Sequence, residues 1–278
     1  MKKILLPLIL LIHLLLLVHL RFTAWPEMML WPYFLLSGLL PYRDIAMAHN
    51  PLLIFDLAIF YKFFGVSLLN LKLYTWVLIL LTDLLVYWIA EKLTKDRKIA
   101  LLSLVFYVLW QPYFEGNGVW FDLVLAPLGL LIFYCLWVKE FFWSGLFFSL
   151  AILVKQTAFW FIFPIAFCFG FFNFLKINYL KKFFLGIMIP LFIFLVFLIK
   201  LGIFKDFYFW AVKFGMGYLP HASGQLQLPI LKQTLALTIP CAMILPAILT
   251  LLLYRNKVKP GKRILTLLLI WCFFALLG

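Results

Sequence analysis

The amino-acid sequence predicts an all-α polytopic membrane protein, and three observations carry that prediction. Of its 278 residues, 67% are hydrophobic and only 12% are charged, against about half and about a quarter in a soluble domain. The hydrophobic residues form continuous runs near the ~20 residues that cross a hydrocarbon core about 30 Å thick, without the alternation of a membrane barrel. Basic residues cluster in short stretches between those runs, as the positive-inside rule describes. The net charge of +14 is therefore read as membrane topology, with membrane lipid as a partner and no nucleic acid. The four cysteines, Cys135, Cys168, Cys241 and Cys272, each sit inside an apolar run. That is neither a disulfide framework nor a zinc pattern, and they are read as small apolar fillers.

The run 4–20 follows Lys2 and Lys3 and resembles a signal peptide, but Arg21-Phe22-Thr23-Ala24-Trp25 lacks a small-x-small cleavage site. It is expected to stay as the first span, with the N-terminus on the cytoplasmic side. Lys92, Lys95, Arg97 and Lys98 also belong inside, so an even number of crossings separates the two basic groups. Three apolar stretches lie between them, at 4–20, 51–65 and 71–90. The middle one carries Asp56 and Lys62, opens at Pro51 and closes at Gly65, and reaches only about 22 Å as a helix. It is expected to lie on the outer surface as an amphipathic helix, within an outer loop spanning 21–70.

The same parity sends 99–114 outward and returns 120–138. The stretch 141–174 is too long for one crossing at about 1.5 Å per residue, and Lys139, Lys176, Lys181 and Lys182 flank it. It is expected to be a hairpin of two spans, 141–155 and 158–174, turning on the outer side at Lys155-Gln156-Thr157. Span 183–201 then leads to a second outer loop, 202–233. Span 234–254 returns to the basic residues Arg255, Lys257, Lys259, Lys262 and Arg263, and 264–278 begins a further span. That last run has no polar tail, which predicts that the single transmembrane domain is the N-terminal part of a longer protein.

The acids Glu27, Asp44, Asp56, Glu115, Asp122 and Asp206 fall on the outer side in this scheme. Acids contribute little to topology, so their crowding points to chemistry. Three polar segments converge there: Tyr42-Arg43-Asp44 with His49-Asn50, Glu115 through Asp122, and the hairpin tip at Lys155. Transfer of a sugar from a lipid phosphate needs a carboxylate to take the acceptor proton and cations to hold the leaving phosphate. Asp44 is the candidate base, Asp122 and Glu115 are supporting acids, and Arg43, Lys155 and His49 are candidate phosphate partners.

Each of these has a plainer reading. Asp44 pairs with Arg43 as a loop acid, Asp122 caps a helix, Glu115 is solvated, Lys155 snorkels, and His49 ends the loop. Trp25, Trp31, Tyr33, Trp110, Tyr113 and Trp120 suit an interfacial aromatic belt. Asp83 lies in the middle of an apolar run, where an acid is costly. It marks either a functional site or a protonated acid bonded to a neighbouring helix.

The segment Gly38-Leu-Leu-Pro-Tyr-Arg-Asp44, followed by His49-Asn-Pro-Leu52 and Phe64-Gly65, resembles the GT-C glycosyltransferases. The branch it is most similar to contains the protein O-mannosyltransferases and aminoarabinose transferases. The resemblance covers roughly residues 35 to 174, and its motif is short. It implies a GT-C-like transmembrane bundle with outer-surface juxtamembrane helices, a polyprenyl-phosphate sugar donor, and inversion at the anomeric carbon. By position, Asp44 matches the first-loop catalytic acid, Asp122 an acid at the start of the fourth span, and Lys155 a basic residue at the outer end of the fifth. Many relatives carry two adjacent acids in the first loop, where this chain has Arg43 before Asp44, and they are much longer. No cofactor is implied with certainty, a divalent metal stays open, and the acceptor is a glycan, lipid or protein. The competing expectations are a transporter or flippase working through Asp83 and a non-catalytic membrane scaffold.

Overall fold

The computed structural model describes residues 4–114, 116–171 and 176–218, and among these every regular element is helical. The elements are α1 (Leu5–His19), α2 (Glu27–Leu36), α3 (Leu52–Phe64), α4 (Leu68–Thr94), α5 (Arg97–Phe114), α6 (Phe121–Trp137), α7 (Phe141–Val154), a 3-10 segment (Gln156–Phe161), α8 (Ile162–Phe171), α9 (Ile177–Lys200), α10 (Phe204–Phe207) and a π-helical segment (Tyr208–Tyr218). α4 and α9 are long and apolar enough to cross a membrane, with mean hydropathy 1.8 and 2.6. The segments 234–254 and 264–278 lie outside the described residues, as does Glu115.

Helix limits follow local chemistry. Ser67 caps α4 by accepting the Asn70 N–H at 3.1 Å. Lys95 ends the same helix in a left-handed conformation, φ 58°. α3 opens after Pro51 and stops at Gly65, whose φ of +84° favours glycine. Leu53, Ile54, Leu57, Ala58 and Tyr61 form its buried stripe at helical spacing. Its opposite side is partly apolar too, with Ile59 59% and Phe63 76% exposed.

Two segments expected to be loops contain helices. α2 lies within 21–70 and packs on α3, and residues 204–218 are helical. The hydrophobic pattern cannot signal α2, since Pro32 interrupts it and only Met28 and Pro32 are buried. α4 also runs beyond the expected 71–90 at both ends.

The chain does break at Lys155, which is extended, φ −149° and ψ 131°. α8 then runs back along α7, bringing Phe169 within 5.2 Å of Phe141. α7 sits between α6 and α9. The α7–α9 crossing is close because glycines face backbone. A Cβ on Gly145 would lie 2.1 Å from the Phe183 carbonyl oxygen, and one on Gly186 would lie 2.1 Å from that of Phe142. Small residues permit such backbone approach between apolar helices.

α1 is apolar on every side, and its two buried residues are His13 and Leu17. It packs on α4 and α5. Two polar contacts orient it. His13 Nδ1 lies 2.7 Å from Asp83 Oδ2 of α4, both side chains fully buried. At the helix end, Asn117 Nδ2 donates to the Leu17 and Leu20 carbonyls at 2.7 and 3.2 Å, and Asn117 Oδ1 accepts the Trp76 indole N–H at 3.0 Å. Asn117 thereby ties α1, α4 and the loop entering α6 together.

Candidate functional site

The loop between α2 and α3 is built around Tyr42. Its backbone is left-handed, φ 68°, and Tyr42 N–H donates to the Ile45 carbonyl at 2.9 Å. The ring is buried edge-on against Phe207 at 5.2 Å, and burial pushes the phenol well above its usual pKa. Its hydroxyl donates to the His49 carbonyl at 3.1 Å. Asp44 closes the turn on itself. Its carboxylate accepts the Leu40 N–H at 2.8 Å while its own N–H donates to the Leu40 carbonyl at 3.0 Å. Arg43 turns away from Asp44. Its Nη2 donates to the Gly202 carbonyl at 2.5 Å, and its Nε lies 3.4 Å from Asp206 Oδ2. The paired-loop reading of Asp44 with Arg43 therefore does not describe this loop, because the guanidinium is held by the turn after α9.

A second group forms where α6 begins and α7 ends. Lys155 Nζ donates to both carboxylate oxygens of Asp122, at 2.6 and 2.9 Å. Trp120 occupies the N-cap position of α6, so Asp122 is in the first turn and is not the cap. The helix dipole favours an anion there and a cation at the end of α7, where Lys155 stands. The pair is thus favoured at both ends beyond its own attraction. The lysine side chain is only 18% exposed, which marks it as part of the packed site.

His49 joins this group. Its ring is tilted on Phe121 at 4.3 Å and edge-on to Trp120 at 5.9 Å. Burial pushes the imidazole below its usual pKa and the Lys155 ammonium pushes the same way, while the neighbouring Gln156 side chain and the charge of Asp122 oppose them. The two leading causes, burial and the nearby ammonium, both disfavour the cationic form of the ring. Asn50 fastens the loop, donating to the Ile152 carbonyl of α7 at 2.5 Å.

His49, Asp122 and Lys155 therefore come together, though the last two lie 33 residues apart. Arg43 and Asp44 connect to them through Tyr42, but their charged groups bind elsewhere. Among the described residues no group of three or more His, Cys, Asp or Glu side chains is placed to hold a metal ion.

Sequence reasoning passed over two participants. Gln156 follows the hairpin lysine and looks like a turn residue, and its contacts to Ala48 and Ala211 have no sequence signal. His13 did have one, because a histidine inside an apolar run asks for a partner, and Asp83 supplies it.

Comparison with known protein families, curated proteins and solved structures returns no match for this chain.

Proposed function

We propose that the protein is a polytopic membrane glycosyltransferase of the GT-C type, multi-pass in the cell membrane with a cytoplasmic N-terminus and its site on the outer face. It moves a sugar from a polyprenyl phosphate to an acceptor hydroxyl with inversion. The acceptor oxygen attacks the anomeric carbon, the bond to the phosphate oxygen breaks, and the electron pair leaves with the phosphate. The acceptor proton passes to Asp44.

The observation that carries this reading is the meeting of His49, Asp122 and Lys155 at the ends of α6 and α7, beside the loop that bears Asp44. Lys155 has three N–H donors, two engaged by Asp122, and a third to offer a phosphate oxygen. The apolar length of α4 and α9 agrees with a lipid-linked donor. A transport role for Asp83 has less support. The residue is fully buried against His13, and the apolar groove of about 560 Å³ along α4 and α6, lined by Leu81, Leu85, Trp88 and Pro127, does not include it.

Asp44→Asn tests the reading. The amide oxygen still accepts the Leu40 N–H, so the turn is kept, but the side chain no longer takes a proton. Transfer from a polyprenyl-phosphate sugar should fall by at least about 100-fold, the usual worth of a positioned base, with donor binding retained. Lys155→Ala should weaken donor binding instead. Full transfer by Asp44→Asn would overturn the assignment.

A further inference from the structure

The groove along α4 and α6 and the basic turn after α4 share one stripe of residues. Leu78, Leu81, Leu85 and Trp88 line the groove, and their spacing of three and four places them on one face of the helix. Continued at the same spacing, that face reaches Lys92 and Lys95. From Leu78 to Trp88 the helix rises about 15 Å, half of a hydrocarbon core about 30 Å thick, so the groove has the length of one leaflet. Pro127 forms its other wall. Two turns further along α6, the Tyr134 ring meets Trp88 at 4.5 Å. This aromatic pair stands at the end of the groove nearest the lysines.

No carboxylate answers these two lysines. Among the described residues the ion pairs are those of His13, Arg43 and Lys155. The acids next to the lysines are engaged locally: Glu91 accepts the Tyr87 hydroxyl at 3.1 Å, and Asp96 accepts the Lys98 backbone N–H at 2.7 Å. Lys92 and Lys95 are both exposed. The positive-inside bias accounts for lysines in this turn. That bias sets no register, however, and here two lysines continue the stripe that lines an apolar groove.

We propose that this stripe is a binding site for an anionic phospholipid of the leaflet that the α4–α5 turn faces, the cytoplasmic one in the topology above. One acyl chain lies in the groove from Trp88 to Leu78. The phosphate lies at Lys92 and Lys95, whose ammonium groups donate to its oxygens. The Trp88–Tyr134 pair sits at the boundary between chain and head group, where amphipathic aromatic rings are favoured. The site is separate from Asp44, Asp122 and Lys155 and does not rest on the transferase reading. A polyprenyl phosphate held at Lys155, beside the start of α6, would carry its charge at the other end of that helix.

The test titrates the full-length protein in detergent with dioleoyl phosphatidylglycerol and dioleoyl phosphatidylcholine and counts bound lipid by native mass spectrometry. Phosphatidylglycerol should be held in preference. Lys92→Gln and Lys95→Gln should each lower its affinity about fivefold, the worth of one basic residue facing an anionic lipid, and leave phosphatidylcholine binding unchanged. Leu81→Trp fills the groove and should weaken both lipids. All three positions are exposed, so these variants keep the fold. Replacing Lys181 and Lys182 together by glutamine removes two exposed cations outside the groove and should leave the preference intact. An equal loss in that control would overturn the proposal in favour of diffuse surface charge. Equal retention of the two phospholipids by the parent protein would overturn it outright. Displacement of phosphatidylglycerol by equimolar polyprenyl phosphate, insensitive to Lys92→Gln, would overturn it by assigning the groove to the donor's chain.

Discussion

Replacing Asp83 or His13 should expose how α1 is held. The two side chains lie 2.7 Å apart and are both fully buried. The remaining polar atoms, His13 Nε2 and Asp83 Oδ1, have no hydrogen-bond partner, so each residue depends on its single contact with the other. An acid and a base in direct contact offset each other, which makes the pair tolerable in apolar surroundings. Removing one member leaves an ionisable group without a partner, at a cost of about 3–5 kcal/mol. Removing both in favour of leucine leaves an apolar contact and is expected to cost little. For a domain of this size, roughly 2–4 °C per kcal/mol turns each single loss into a melting shift of about 6–20 °C. The assay is a double-mutant cycle of His13→Leu, Asp83→Leu and the double variant, read as melting temperature in one detergent and one lipid composition. The double variant should melt near the parent and well above either single variant. Interhelical polar contacts in membranes average only about 0.6 kcal/mol of coupling. A coupling at or below that level would refute the view that this pair fixes α1 on α4.

The helix crossing and the topology give further tests. Gly145→Val places a side chain 2.1 Å from the Phe183 carbonyl oxygen; it should separate α7 from α9 and lower the melting temperature by more than the same change at Gly170, which has open space. In a background without native cysteines, Asp44→Cys and Asp122→Cys should react with an impermeant thiol reagent from outside the cell and Lys95→Cys should not. A probe at Ile59→Cys should report head-group depth; the bilayer centre would reverse the orientation of every later segment.

The sequence alone determines the helical character of the chain and much of where its helices begin and end. Long apolar runs, Pro51 and Gly65 around α3, and the charged stretch between α4 and α5 are local signals, and local backbone preferences obey them. The break at Lys155 was legible for the same reason, since no single crossing accommodates 141–174. The polar residues His49, Asp122 and Lys155 could be nominated because ionisable groups in so apolar a chain are few. Their partners could not. Arg43 binds Gly202 and Asp206, 159 residues or more away, and not the adjacent Asp44. Gln156 reaches Ala48 and Ala211, and His13 finds Asp83 across 70 residues. Hydrogen bonds are short and directional, so which donor meets which acceptor depends on how helices rotate and cross. In this bundle the polar contacts of α1 through His13 and Asn117 and the close glycine contact of α7 with α9 set those rotations, and only the packed structure reveals them.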